Sequence, residues 1–288
     1  MAARFRLRTF AVLATAALLA ACGGVPLPPD AFVVGGDRPA IVLPPPEHDA
    51  ARPTPLLVVL HGYAASAAQV ERRFPLGSGA AVAEVILVRP QGTTDAVGRR
   101  FWNASDACCD LFGAGVDDEA YLLDLIAEIE ERLAVSEIAL FGHSNGGFMA
   151  YRLACDHPER FAAVVTVAGA LDDPPPDCGD GGPARVLHIH GTADPIIDFE
   201  GGALPRRPPY TSAEATVAAF ATGAGCGAFA AGAPFDLDAG IEGAETVPYE
   251  ADCPEGRRVT LWRIEDGRHE PDVRESFAAR VLRFAFGE

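Results

Sequence analysis

Six runs of apolar residues, each closed by glycine, proline or a polar residue, punctuate the chain. They are "PLLVVLHG" (55–62), "EVILVRP" (84–90), "EIALFGHS" (137–144), "FAAVVTVAG" (161–169), "ARVLHIHG" (184–191) and "RVTLWRI" (258–264). Their apolar residues run on with little polar alternation, the pattern of strands covered on both faces in a parallel sheet. Between 117 and 133 the period changes: Leu122, Leu125, Ile126, Ile129 and Leu133 recur at helical spacing, with acids on the opposite face. Asp117 and Asp118 stand where carboxylates cap a helix and meet the positive end of its dipole. Residues 272–286 repeat the pattern through Val273, Phe277, Val281, Leu282 and Phe284. Earlier, "AFVV" and "RPAIVLPP" about Gly35-Gly36 predict an antiparallel hairpin on a sheet edge. Alternating strands and helices imply an α/β fold, a mostly parallel, doubly wound sheet with helices on both faces. In such folds ligands bind at the C-terminal ends of the strands. Two irregular stretches, 172–183 and 223–257, are expected to be disulfide-stapled excursions over the site.

The N-terminus adds a separate instruction. Arg4, Arg6 and Arg8 precede an apolar stretch from Phe10 to Ala20, so residues 1–21 read as a signal peptide too short to span a bilayer. Cys22, directly after Leu19-Ala20-Ala21, resembles a bacterial lipoprotein processing site and is the candidate lipidation residue; a plain secreted form is the alternative. Residues 22–30, rich in proline and glycine, form a tether, and 31–288 suit one large α/β domain. The protein is therefore expected to be secreted or held at the bacterial cell surface or outer membrane, touching membrane only through the anchor. Removing residues 1–21 leaves 267 residues and changes the formal charge from −17 to −20. That charge repels nucleic acid and polyanionic substrates and keeps an exported protein soluble.

Six cysteines follow Cys22: Cys108, Cys109, Cys155, Cys178, Cys226 and Cys253. Their even number in an exported chain suggests disulfides. Spacing favours Cys155 with Cys178 and Cys226 with Cys253, which leaves Cys108 and Cys109 for each other. Adjacent Cα atoms lie only about 3.8 Å apart, below the usual disulfide range. A zinc site would want a Cys-x-x-Cys pair or a nearby histidine, and neither supports one, so no metal is expected.

The chemistry centres on Gly142-His143-Ser144-Asn145-Gly146, a Gly-x-Ser-x-Gly turn between a predicted strand and a helix. Ser144 could be only a small residue in a tight turn; as a nucleophile it needs a base, and the base needs an acid to orient it. For this turn the chain order is serine, acid, histidine. Asp194 follows a strand in "HGTADPIID", with Asp198 as the rival acid, and His269 follows the last strand in "EDGRHEPD". The oxyanion donors are expected to be the backbone N–H of Asn145 and that of Tyr63 in "LHGY", with His61 bracing the loop. His143 and His190 are placed to line or brace the site, His188 lies along a buried strand, and His157 suits a helix end. His48 falls in the proline-rich connection.

Taken together, "LHGY", "RPQG", "FWNASDACCD" before "GVDDEAYL", "GHSNGGFMAYRLAC", "HIHGTADPIIDFEG" and the late "GRH" resemble the family of polyhydroxybutyrate depolymerase-like esterases, which also contains feruloyl and acetylxylan esterases. The likeness runs from about residue 31 to the C-terminus. It implies an α/β-hydrolase fold, a Ser144-Asp194-His269 triad, no metal or organic cofactor, and export to cleave small or polymeric esters through an acyl-enzyme. It further implies that Trp102 lies near the acyl pocket, where a buried aromatic anchor is the other reading, and His143 is the second candidate substrate contact. Phe101, Phe112, Phe199 and Tyr210 are the remaining aromatics to consider, as pocket wall or as core. Family members often carry a second glycine before the final histidine and Trp-Pro after it; here Arg268 and Glu270 flank the base. No separate polymer-binding module follows, so tight adsorption to solid polyester is not expected. Two other classes compete: a serine peptidase of the prolyl oligopeptidase type, marked by a group that binds the peptide N-terminus or by a large N-terminal domain, and a non-catalytic surface lipoprotein, which would have lost the serine, acid or base. The acyl group, the oligomeric state and whether 199–210 forms a lid are left open by the sequence.

Overall fold

The computed structural model describes residues 28–180 and 182–287; the expected signal peptide and Cys22 lie outside them. The strands in the first half are β1 (Phe32–Val34), β2 (Ala40–Leu43), β3 (Thr54–Leu60), β4 (Ile86–Val88), β5 (Thr93–Thr94), β6 (Arg100–Phe101) and β7 (Val135–His143). Those in the second half are β8 (Ala163–Val167), β9 (Arg185–Gly191), β10 (Gly202–Ala203), β11 (Pro209–Tyr210), β12 (Phe229–Ala231), β13 (Thr246–Ala251) and β14 (Arg258–Ile264). Six helices are described: α1 (Ala67–Arg73), α2 (Leu76–Val82), α3 (Asp118–Glu130), α4 (Asn145–Asp156), α5 (Ala213–Gly223) and α6 (Ser276–Phe286).

The large sheet runs β1-β2-β4-β3-β7-β8-β9-β14-β13-β12. From β4 to β14 every neighbouring pair is parallel, and antiparallel strands extend both edges. The unbroken apolar runs have their cause in two cores. On β3, Leu56, Val58 and Leu60 face a core shared with α3, α4 and α5, whereas Leu57 and Val59 face one shared with α1, α2 and α6. A strand whose alternate side chains both enter apolar cores has no polar phase to display.

All six predicted strands and the edge hairpin, β1 with β2, are present. Both predicted helices are shorter than their periodicity. α3 stops at Glu130, although the backbone N–H of Leu133 still reaches the Ile129 carbonyl and its side chain stays buried. α6 begins only at Ser276, because Asp238 captures the start of the segment: its Oδ1 accepts from the Asp272 N–H, and Asp238 bridges Val273. The stretch 223–257 does not lie over the site; β12 and β13 extend the sheet beyond β14. Residues 172–183 belong to the crossover that returns from the C-terminal end of β8 to the start of β9. The structure joins Cys155 to Cys178, Cys226 to Cys253 and Cys108 to Cys109, the last across a cis peptide.

Two properties of this interior can be measured. Phe277 of α6 is wholly buried, with its ring centroid 5.5 Å from Phe74 and 6.1 Å from Phe141. Phe277→Ala should cost about 3–5 kcal/mol of stability in urea unfolding, and a loss below about 1 kcal/mol would mean α6 is not seated as described. Burial also lowers the basicity of three histidines: His61 to about 4, His143 to about 3 and His188 well below the ordinary 6.5. When the chain unfolds near pH 5 these rings take up protons that the folded protein does not bind. Their contribution is thus complete above about pH 6.5 and is lost as pH falls toward 4. The urea midpoint should fall across that window; a flat midpoint would contradict the buried, neutral state of the rings.

Candidate active site

β7 ends at His143 and α4 begins at Asn145, so Ser144 alone makes the turn, at φ 52° and ψ −122°. A non-glycine residue with positive φ is held there by its surroundings. One restraint is visible: the Ser144 N–H donates to the Val167 carbonyl of β8 at 2.8 Å. The flanking glycines are required by space. A Cβ on Gly142 would stand 2.1 Å from the Gly146 carbonyl oxygen, and one on Gly146 would stand 2.3 Å from the Leu60 carbonyl oxygen of β3. Farther along α4, Gly147 packs against Gly169, where an added Cβ would meet the Gly169 Cα at 2.9 Å.

Because β9 and β14 are parallel neighbours, the loops that follow them share the same end of the sheet. His269 Nδ1–H donates to Asp194 Oδ2 at 2.7 Å, and both side chains are buried. Asp194 Oδ1 accepts from the N–H groups of Ile196 (2.8 Å) and Ile197 (3.0 Å). Burial by itself raises the carboxyl pKa, but the donors His190, His269 and Ile196 outweigh it and hold Asp194 well below the usual carboxylate range. Asp198, the rival acid, is exposed and accepts the Glu200 N–H. The serine turn is tied to this pair through His143, whose Nε2–H donates to the His269 carbonyl at 3.2 Å with the two rings 5.0 Å apart.

Opposite the serine lies the loop after β3. A methyl group on Gly62 would come within 3.3 Å of Ser144 Cβ, so this backbone reaches the serine directly. His61 braces it from beneath: Nδ1–H donates to the Gly62 carbonyl (2.8 Å), and Nε2 accepts the Gly92 N–H (3.0 Å). Tyr63 is anchored through its hydroxyl, which donates to Asp95 at 2.7 Å. Among the described residues, the N–H groups of Tyr63 and Asn145 have no backbone acceptor. The Asn145 side chain does something the sequence did not reveal. Its Oδ1 accepts the Trp102 N–H (2.7 Å) while its Nδ2 donates to the Trp102 carbonyl (2.9 Å). Trp102 Nε1–H in turn donates to the His61 carbonyl at 2.9 Å. Wholly buried, Trp102 occupies the place of an anchor linking the serine turn to the opposing loop.

Of the other aromatics considered, Phe101, Phe199 and Tyr210 are buried, while Phe112 is 51 % exposed. Segment 199–210 contains a small antiparallel hairpin, β10 with β11, pinned by Tyr210, whose hydroxyl accepts the Asp198 N–H. A cavity of about 440 Å³ opens beside the site between Gly62, Gln69, Arg73, His143 and Glu270. Arg73 and Glu270 form an ion pair at its wall, at 2.6 Å. Glu270 was conspicuous in sequence as a neighbour of His269; Gln69 and Arg73 were not, because their seven-residue helix offers only one buried position, Val70.

Comparison with known proteins agrees with this fold. A family profile described as the alpha/beta hydrolase fold matches residues 55–181. A putative esterase, NocK, of Nocardia uniformis subsp. tsuyamanensis is 35% identical over 184 residues, which is 59% of this chain and 52% of that protein. Probable feruloyl esterase C of Aspergillus niger is 37% identical over 90 residues, 30% of this chain and 32% of that one. The chain thus spans about half of the first relative and about a third of the second. Among solved structures, an acetyl xylan esterase from Aspergillus awamori superposes with a TM-score of 0.60 at 13% identity, covering 88% of this chain and 98% of that one. An S-formylglutathione hydrolase from Agrobacterium tumefaciens gives 0.54 at 16% identity, over 88% and 93%. With strand order, family profile and structural neighbours in agreement, the chain has the α/β-hydrolase fold, and esterases stand among its sequence relatives.

Proposed function

We propose that the protein is a serine carboxylic-ester hydrolase that works through an acyl-enzyme on Ser144. One observation carries this reading: a serine at positive φ on a strand-to-helix turn, tied through its neighbour to a histidine that is itself held by a buried carboxylate. Since His269 gives its Nδ1–H to Asp194, its Nε2 is the site left to act as base. In the proposed cycle His269 takes the Ser144 proton as Oγ attacks the ester carbonyl carbon. The N–H groups of Asn145 and Tyr63 receive the negative charge on the carbonyl oxygen. The alcohol leaves with the proton from His269, and water, deprotonated by the same ring, releases the acid.

For the substrate, the relatives named feruloyl esterase C support a feruloyl ester, and the family resemblance read from the motifs widens this to feruloyl or acetylxylan esters of plant polysaccharide. The motif set that resembles polyhydroxybutyrate depolymerase-like proteins supports a hydroxyalkanoate oligomer, which is the second reading. In either case the cavity bounded by Gln69, Arg73 and Glu270 is proposed to receive the polar part of the ester. Export is proposed from the N-terminal segment and from the three disulfides, which persist in oxidising surroundings.

Purified wild type and Ser144→Ala should be compared on p-nitrophenyl acetate and butyrate, methyl ferulate, a 3-hydroxybutyrate oligomer and a proline-containing peptide amide. The substitution is expected to lower kcat by about 10⁴-fold or more on at least one ester. Preference for ferulate or for the oligomer decides the acyl group. Cleavage of the peptide amide alone would identify a peptidase, and equal rates in both proteins on every compound would reduce Ser144 to a turn residue. For the anchor, Cys22→Ser should move the protein from the membrane fraction to the soluble fraction; unchanged partition would exclude lipidation at Cys22.

A further inference from the structure

Behind Asp194 runs a line of buried polar side chains that the proposed cycle does not use. Tyr151 of α4, Thr166 of β8, and His188 and His190 of β9 are each at most 1 % exposed. Thr166 Oγ1 lies 2.7 Å from the Tyr151 hydroxyl, which lies 2.7 Å from His188 Nδ1. His188 Nε2 is 2.9 Å from His190 Nδ1. His190 Nε2 is 2.8 Å from the Ile197 carbonyl oxygen and 3.3 Å from Asp194 Oδ2, the same oxygen that accepts from His269.

The direction of these bonds follows from their last member. A carbonyl oxygen only accepts, so His190 Nε2 carries the hydrogen. In the neutral ring Nδ1 is then a lone pair, and His188 must donate to it from Nε2. That leaves His188 Nδ1 to accept from a hydroxyl, Tyr151 at 2.7 Å or Thr166 at 3.0 Å. From His188 onward every proton therefore points toward the Asp194 loop, and each buried bond polarises the next.

We propose that His190, oriented by His188 and bonded to the Ile197 carbonyl, is a positioning residue whose Nε2–H edge, 3.3 Å from Asp194 Oδ2, is shared with that oxygen and so limits how strongly the carboxylate holds His269. This rests on the reading of Ser144, Asp194 and His269 as a triad. The low proton affinity of Asp194 and the neutral state of buried His188 are consistent with it. Four titratable groups lie around Asp194: His190 from β9, the strand before its loop, His269 from the loop after β14, His143 from the end of β7 and Tyr210 from β11. Without the His190 N–H, Oδ2 is shared only with His269, and the imidazolium that forms during the reaction becomes more stable. The base then stays protonated to higher pH.

Two measurements test this. In wild-type protein with ¹⁵N-labelled histidine, two-bond ring correlations should find both His188 and His190 as Nε2–H tautomers; a proton on Nδ1 of either neutral ring would overturn the chain's direction. In kinetics, His190→Leu is expected to move the acid limb of the kcat/KM profile up by roughly half a pH unit or more. His190→Gln, which restores an N–H, should bring the limb back toward wild type. A folded His190→Leu protein with an unmoved limb would sink the proposal, and if that variant does not fold the ring-proton measurement decides alone. Serine-independent turnover would instead overturn the triad, an outcome the tautomer measurement does not share.

Discussion

The contact on which the rest of the site depends is the approach of α4's first turn to the end of β3, where the Gly146 backbone presses on the Leu60 carbonyl. No side chain fits between them, and the fit fixes three distances at once. It sets the serine against Gly62, aims the start of α4 at the gap between them, and lets the Asn145 amide reach across to Trp102. The indole then returns the connection to His61, so the two backbone segments that face the reacting carbonyl in the proposed cycle are cross-braced through a single buried side chain. Hydrogen bonds of this kind add little net stability each but specify one geometry, because a buried donor left unmatched is costly.

Electrostatics in this protein divides sharply between surface and interior. Most acids lie outside, several paired with arginines, as Glu130 is with Arg160 and Glu250 with Arg258. Such exposed pairs contribute little to stability. Asp194 is different: it sits in the interior surrounded by donors and histidines, with no lysine or arginine in direct contact. A carboxylate stabilised by N–H dipoles keeps its charge free of a fixed cation, and in the proposed cycle that charge is what would meet the proton carried by His269, whereas one locked to a guanidinium would already be paired.

Much of this was legible in the sequence because it depends on strong local rules. A strand buried on both faces must be apolar throughout, and the Gly-x-Ser-x-Gly turn marks a backbone approach that excludes Cβ. The serine, acid, histidine order known for that turn, applied to the predicted strand ends, selected Ser144, Asp194 and His269 as the candidates. What escaped is physically different. α1 and α5 have short apolar faces, and their clearest marks are the N-caps Ser66 and Ser212, small signals beside the strands. β13, one strand in from the sheet edge, carries Pro248 and Glu250 and leaves most of its side chains partly exposed, so no buried pattern announces it. The Asn145 clamp needs α4 docked against the segment after β6, and the histidine line needs α4, β8 and β9 assembled; no spacing in one dimension encodes either meeting.

The pairing of β14 with β9 carries a consequence for the order in which the molecule becomes competent. Asp194 and His269 are 75 residues apart, and they touch only once the last strand of the parallel set has docked. Closing so long a loop is entropically costly and belongs to the slow, non-local part of chain assembly. The serine turn, built from β3, β7 and β8, needs none of it. In a chain that assembles in this order, the serine turn is shaped before the proposed acid and base of the site are brought together.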